Sequence, residues 1–440
     1  MPQFLEFLDR RLGPREIRFV CLTIILSAIV VFVVAAATWN GSHTIFGTVW
    51  GVDYPQFHVA GLLLNRGESA HLYDLALQNS EYHRLFPDEP SHVQLPFVYA
   101  PFLAACFRPL ALLPYEYSYS VWLAISIGCF VAGFSLIWKL VTASEQAHWS
   151  LCFLVAIAYE PLIIECFFGG QISTLGFLVF ASVIYLDRNS RPFTAGLVLA
   201  VCSYKPTLLV LVLPMLLISR AWRILIGFGI GMSLLLCVSL LVIGSDAYAD
   251  YVHLLAGYSE RTASGFRTWK NVDVVAFYRL IFGTKSLLAA SLGIGTCVIG
   301  CCSLGWIFRR RAICDKTTQP LFWGCLLTWS LVLNVYSPIY DTILIIPSAV
   351  LTYDGLCRTM MNLQRTTMQV FKLLLLLLFL APLLCPNVTR WTGLQTMTLV
   401  LTAFGLFQLV VWQRMVSLSA TSSGPTSQLV VDGSDRGRKC

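Results

Sequence analysis

Apolar runs long enough to cross a bilayer recur along the whole chain, and no other feature restricts its folding as tightly. A helix needs about 20 apolar residues to span the hydrocarbon core. Runs bounded by charges lie near 19–38, 117–138, 150–168, 171–187, 222–244, 286–308, 319–336, 338–352, 368–385 and 395–414, with shorter ones at 192–204 and 206–218. No water-soluble interior could hide so many fully apolar helices. The chain therefore reads as an all-α polytopic membrane protein with about 12 transmembrane helices. Composition agrees, since 57% of the 440 residues are hydrophobic and 12% are charged, where a soluble domain carries roughly a quarter charged residues. Ile17 to Thr38 is too long for the apolar core of a secretory signal, and Thr38-Trp39-Asn40 is no small-residue cleavage site, so this run reads as a retained first helix.

Lysine and arginine placement sets the expected orientation. Arg10, Arg11, Arg15 and Arg18 precede the first run and place the N-terminus in the cytoplasm. Segment 39–116 carries seven acids against three basic residues and reads as a large exterior loop after the first span. The clusters Arg188/Arg191, Arg220/Arg223, Arg309-Arg310-Arg311 and Arg358/Arg365 then fall inside, which makes 245–285 a second exterior loop. Pro96 to Leu113 is apolar but broken by Pro101, Arg108 and Pro109, and reads as lying in the outer interface. The Ser/Thr/Gly-rich tail, 415–440, reads as disordered and cytoplasmic.

The net charge of +7 follows from these topogenic clusters and calls for no nucleic-acid partner. Most of the fifteen cysteines fall inside spans, among them Cys129, Cys152, Cys202 and Cys237, and none shows metal-ligand spacing. Cys440 lacks the aliphatic pair of a prenylation box. Neither a metal nor another cofactor is expected.

The two short runs flank Ser203-Tyr204-Lys205-Pro206. Proline removes a helix donor and disfavours helix at the residue before it. Broken helices at membrane depth survive only where they line a cavity or are buried in protein, so the break is a candidate site. Lys205 there either meets a phosphate or snorkels to the interface. In the first exterior loop, Tyr54, Phe57, Gly61 and Leu64 recur at helical spacing, the pattern of an amphipathic helix on the membrane surface. Asp53 stands just before it, as a helix cap or as a catalytic acid. The histidines of this loop, His58, His71, His83 and His92, read as solvated.

Arg261, Arg267, Lys270, Arg279 and Lys285 in the second exterior loop break the positive-inside pattern. They form either a solvated loop or a phosphate clamp, with Trp269-Lys270-Asn271-Val272-Asp273 suited to sugar or phosphate contact. Gln171 either bonds substrate or satisfies the Gly169-Gly170 turn, and Asp341 orients Lys205, binds a hydroxyl or caps a helix. Glu160 and Glu165 lie within a run and take no assigned role.

The order of short motifs is more specific than any one of them. An acid before the loop helix is followed by Gly67-Glu68-Ser69-Ala70-His71-Leu72-Tyr73-Asp74, then Pro96-Phe97-Val98-Tyr99-Ala100-Pro101. Gly170-Gln171, Tyr204-Lys205-Pro206, Ser219-Arg220-Ala221-Trp222-Arg223 and Ser337-Pro338-Ile339-Tyr340-Asp341 follow. Over roughly residues 17–350 the chain resembles glycosyltransferase family 87, polyprenol-phosphate-mannose-dependent mannosyltransferases of the GT-C architecture. The resemblance implies a GT-C-like catalytic module over 1–350, with 351–414 as C-terminal transmembrane helices. It also implies membrane-lying helices in the first exterior loop and a catalytic acid near its start, the position of Asp53.

A sugar on a lipid phosphate already has a stable leaving group. Its transfer needs one carboxylate to take the acceptor proton and cations to hold the phosphate. The expected roles are Asp53 as base, Lys205, Arg261, Arg267 and Lys270 at the donor phosphate, and Tyr73, Gln171, Asn271, Tyr340 and Asp341 at the substrates. The expected partners are a polyprenyl-phosphate sugar, a lipid-linked or glycan acceptor and the lipid bilayer, with the site on the outer face of the plasma membrane. A transporter or lipid flippase is the alternative; it accounts for an embedded lysine but not for a 78-residue exterior loop or the lack of paired halves.

Overall fold

The computed structural model describes residues 13–89, 95–263, 268–309, 319–359 and 365–422. Arg10, Arg11, His92, Arg267, Arg310, Arg311 and Cys440 lie outside the described residues, and of Arg261 only the backbone is described. Helices account for the fold. Among the described residues the one β-type pairing is an isolated bridge between Asn271 and Pro338.

Among the described residues seven helices are long and apolar enough to cross a bilayer: Pro14–Ala37, Tyr115–Trp138, Trp222–Gly257, Leu287–Arg309, Ile339–Arg358, Thr366–Thr392 and Thr396–Val416. The remaining apolar runs are shorter or broken. Glu145–Ile157 and Pro161–Phe168 together make one bent span, turned by 63°. Pro192–Tyr204 and Pro206–Ile218 are separate short helices, as the proline between them dictates. Their position in the bundle differs sharply. In Ile339–Arg358, 83% of the apolar window is buried in protein, against 6% in Pro14–Ala37. The former is a central post, whereas the latter presents Phe19, Leu26 and Val30 outward as lipid-facing surface.

Pro96 to Leu113 folds as a seven-residue helix, Pro101–Phe107, and a short 3-10 turn, Leu110–Leu112. At about 1.5 Å per residue neither can cross. The helix at Pro55–Asn65 forms, but it is not an amphipathic surface helix. Nine of its eleven residues are buried, His58 and Gln56 among them. Its polar side satisfies itself inside the protein: Gln56 Nε2 donates to the Asp53 carbonyl at 2.8 Å, and His58 Nδ1 meets Ser118 Oγ at 3.0 Å. Burial lowers the His58 pKa to about 4, so this ring is neutral and not the solvated group its loop position suggests. His71 and His83 are exposed as expected.

The second loop is also more ordered than its composition suggests. The helix beginning at Trp222 runs to Ala263 across a single break at Gly244, whose φ of 79° and ψ of 175° favour glycine. The part beyond Gly244 packs against the first loop, with the Tyr251 and Tyr73 rings 5.2 Å apart. The two loops therefore share one end of the bundle. At the far end, Asp354 accepts from the Thr142 N–H at 2.9 Å and pairs with Arg358 at 2.7 Å. The last helix continues to Ser422, past the expected start of the tail. Each described cysteine is a free thiol.

A topological expectation follows. In a cysteine-free background, Ser80→Cys and Lys285→Cys, both at exposed positions, should react with an impermeant maleimide from the outside of intact cells. Labelling of either only after permeabilisation would overturn the outward placement of this end.

Candidate active site

Three polar groupings converge on one segment, Glu160 to Ser173, where the bent span turns back. Pro161–Phe168 is wound as a π-helix, its widened pitch seen in the Gly169 N–H bonding to the Ile164 carbonyl at 2.8 Å. Such turns are uncommon and recur at functional sites. Two aromatic donors from Tyr115–Trp138 hold it: Tyr119 donates to the Phe167 carbonyl at 2.7 Å and Trp122 to the Gly170 carbonyl at 2.9 Å. Gly170 has φ of 74°, and a Cβ there would lie 2.7 Å from that of Tyr54. Only glycine fits both demands.

The first grouping surrounds Asp53. Its N–H donates to the Gly169 carbonyl at 2.7 Å, which ties the loop to the turn. The carboxylate is buried and its Oδ2 accepts from Gln171 Nε2 at 2.8 Å. Gln171 Oε1 in turn accepts from the Tyr99 hydroxyl at 3.4 Å, and the Tyr99 carbonyl accepts from Tyr73 at 2.7 Å. A capping role for Asp53 is not what forms. The cap position is Tyr54, and no side chain caps that helix. Gln171 likewise spends its amide on the carboxylate and Tyr99, not on the glycine turn.

The second grouping is a buried ion pair. Lys205 Nζ contacts Asp341 Oδ2, and Asp341 Oδ1 accepts from Ser173 Oγ at 2.9 Å. The ammonium also lies 4.5 Å from the Tyr340 ring centre and 5.6 Å from that of Tyr336. Lys205 is 6% exposed and Asp341 2%, so the lysine does not snorkel to water. Asp341 lies inside the 3-10 helix Ile339–Leu344, whose cap position is Pro338. Its carboxylate contacts are thus the Lys205 ammonium and the Ser173 hydroxyl.

The third grouping joins the Thr268–Lys270 turn to the π-helix through Lys270 Nζ and Glu165 Oε1, 2.6 Å apart. Asn271 is fixed by its backbone, bridged to Pro338 in the segment that leads to Tyr340 and Asp341. Asp273 caps Val274–Phe282 and accepts from the Ser337 N–H at 3.0 Å. Burial pushes its carboxyl up to about 6, against the pull of these backbone donors.

Asp53, Gln171, Lys205, Asp341, Tyr340 and Lys270 are thus all tied to the 160–173 segment directly or through one partner. Tyr99, Ser173 and Glu165 carry those ties and had no assigned role in the sequence reading; Tyr73 enters through Tyr99. Among the described residues no group of three or more His, Cys, Asp or Glu side chains is placed to hold a metal ion.

Comparison with known proteins bears on this arrangement. The model of glycosyltransferase family 87 matches residues 97–338, more than half of the chain. No curated protein and no solved structure matches. The matched stretch includes Tyr99, Gln171, Lys205 and Lys270, and stops short of Asp53 on one side and Asp341 on the other. With an all-helical membrane fold around a polar core within that stretch, the chain belongs to glycosyltransferase family 87 and is a multi-pass membrane glycosyltransferase.

Proposed function

We propose that the protein moves a hexose, mannose in this reading, from a polyprenyl-phosphate donor to a lipid-linked or glycan acceptor at the outer face of the plasma membrane. Asp53 takes the proton of the acceptor hydroxyl. The acceptor oxygen bonds to the anomeric carbon as the bond from that carbon to the phosphate oxygen breaks, and the phosphate leaves as an anion. A β-linked donor gives an α-glycoside in this single displacement.

The observation that carries the reading is the buried Asp53 carboxylate, fixed by Gln171 at 2.8 Å beside the π-helical turn. A base held in one orientation by a neighbour that is itself held is the arrangement proton transfer needs. Two cations suited to the phosphate are tied to the same segment, Lys205 through Asp341 and Lys270 through Glu165, and Arg261 and Arg267 are assigned to the phosphate from the sequence alone. Gln171, Asn271, Tyr340 and Asp341 would contact the sugar or acceptor, with Tyr73 acting through Tyr99.

Purified protein in liposomes, given labelled polyprenyl-phosphate mannose and an extract of envelope lipids and glycans, should form a labelled glycoside without solute movement. Solute or lipid movement with no transfer would replace this reading by a transporter or flippase.

A further inference from the structure

The short irregular segment that carries Lys270 is held from an unexpected side. Gln395, just before the last helix, is 1% exposed. Its Nε2 donates to the Trp269 carbonyl at 2.7 Å and to the Asn271 carbonyl at 2.8 Å. These are the two carbonyls that bracket Lys270. Gln395 Oε1 accepts from the Met397 N–H at 3.3 Å and from Cys385 Sγ, so the amide can point only one way. One turn on, Thr398 Oγ1 donates to the Val272 carbonyl at 2.8 Å. From the other side, the Val272 N–H donates to the Ser337 carbonyl at 2.8 Å.

We propose that Gln395 is the positioning residue for Lys270, and that the last two helices serve the donor site by presenting it. The inference rests on the assignment of Lys270 to the donor phosphate. A lysine has a long flexible stem, and its charge is useful only where the stem's base is fixed. The peptide before Lys270 and the peptide after Asn271 both end on one amide, so Gln395 clamps the two-residue stretch that carries Lys270, while Glu165 sets the ammonium. Gln395 lies beyond the matched family stretch, in a part of the chain to which the sequence assigns only membrane spans.

A bland alternative is that Gln395 merely satisfies buried carbonyls. A double-mutant cycle on the KM for labelled polyprenyl-phosphate mannose separates the two. Lys270→Met should raise KM about 10-fold or more, the loss of a charge-assisted contact. Gln395→Ala should raise it on the order of 10-fold, and the double variant should be no worse than Lys270→Met alone. Gln395→Met, which keeps the volume without the donor, gives the same comparison if the alanine variant fails to fold. Unchanged KM in the Gln395 variants, or increases that multiply in the double variant, would reduce Gln395 to a structural residue. Unchanged KM in Lys270→Met would instead remove the phosphate assignment, and this inference with it.

Discussion

Asp53→Asn should fold, bind donor and turn over roughly 10²–10⁴-fold more slowly, because it removes a proton acceptor and little else. The asparagine oxygen can still accept from Gln171 Nε2, which lies 2.8 Å from the carboxylate in the native protein. Backbone ties are untouched, since the bonds to the Gly169 carbonyl and from Gln56 use only the Asp53 main chain. Asp53→Glu should also be poor. The extra methylene displaces the carboxylate within a closed turn, and an error of about 1 Å can cost on the order of 10²-fold. Donor binding and turnover measured on one purified Asn preparation decide the matter. Near-normal turnover would take Asp53 out of the mechanism.

Lys205→Met should cause a second large loss, of a different kind. Asp341 would be left buried without its counter-charge, and breaking such a pair typically costs about 3–5 kcal/mol. The single variant should therefore be poorly folded as well as inactive. Lys205→Met with Asp341→Asn removes both charges and leaves Ser173 an oxygen to donate to, so the fold should return. The KM for donor should stay raised by roughly 10- to 150-fold, the worth of a charge-assisted contact. Thermal unfolding in detergent and donor titration separate the two effects. Recovery of both fold and donor binding in the double variant would make the ion pair purely structural.

Hydropathy located the membrane-buried segments but was blind to their direction. The run at 150–168 is apolar but for Glu160 and Glu165, and its hydropathy does not distinguish a straight helix from the 63° bend into a π-helix that begins at Pro161. The helix at Pro55–Asn65 was legible as a helix, yet its polar residues suggested a solvated side. Gln56 and His58 instead find acceptors and hydroxyls inside the protein, and a polar side chain looks the same in sequence whether water or a partner satisfies it. Asp53, Gln171, Lys205 and Asp341 stood out singly because charged and amide groups near apolar runs are costly. Their pairing did not, since Gln171 is 118 residues from Asp53 and Asp341 is 136 from Lys205. Tyr99 and Ser173 left faint signals, one inside the proline and aromatic stretch and the other two residues after Gln171. Gln395 left less, a lone amide at the edge of an apolar run.

The separation of Lys205 from Asp341 has a consequence for how the chain is made. A ribosome adding about 5–20 residues per second takes roughly 7–27 seconds to cover the 136 residues between them. Through that interval the ammonium lacks the Asp341 carboxylate, and a charge stranded in hydrocarbon is costly. The helices on either side of it, Pro192–Tyr204 and Pro206–Ile218, are too short to carry it across a bilayer as one rigid rod. They can wait with Lys205 in hydrated headgroups or against the insertion machinery until the segment at Ile339 arrives. Arrival of that central helix then brings Lys205 its counter-charge, and only the later helix that follows Gln395 completes the hold on Lys270.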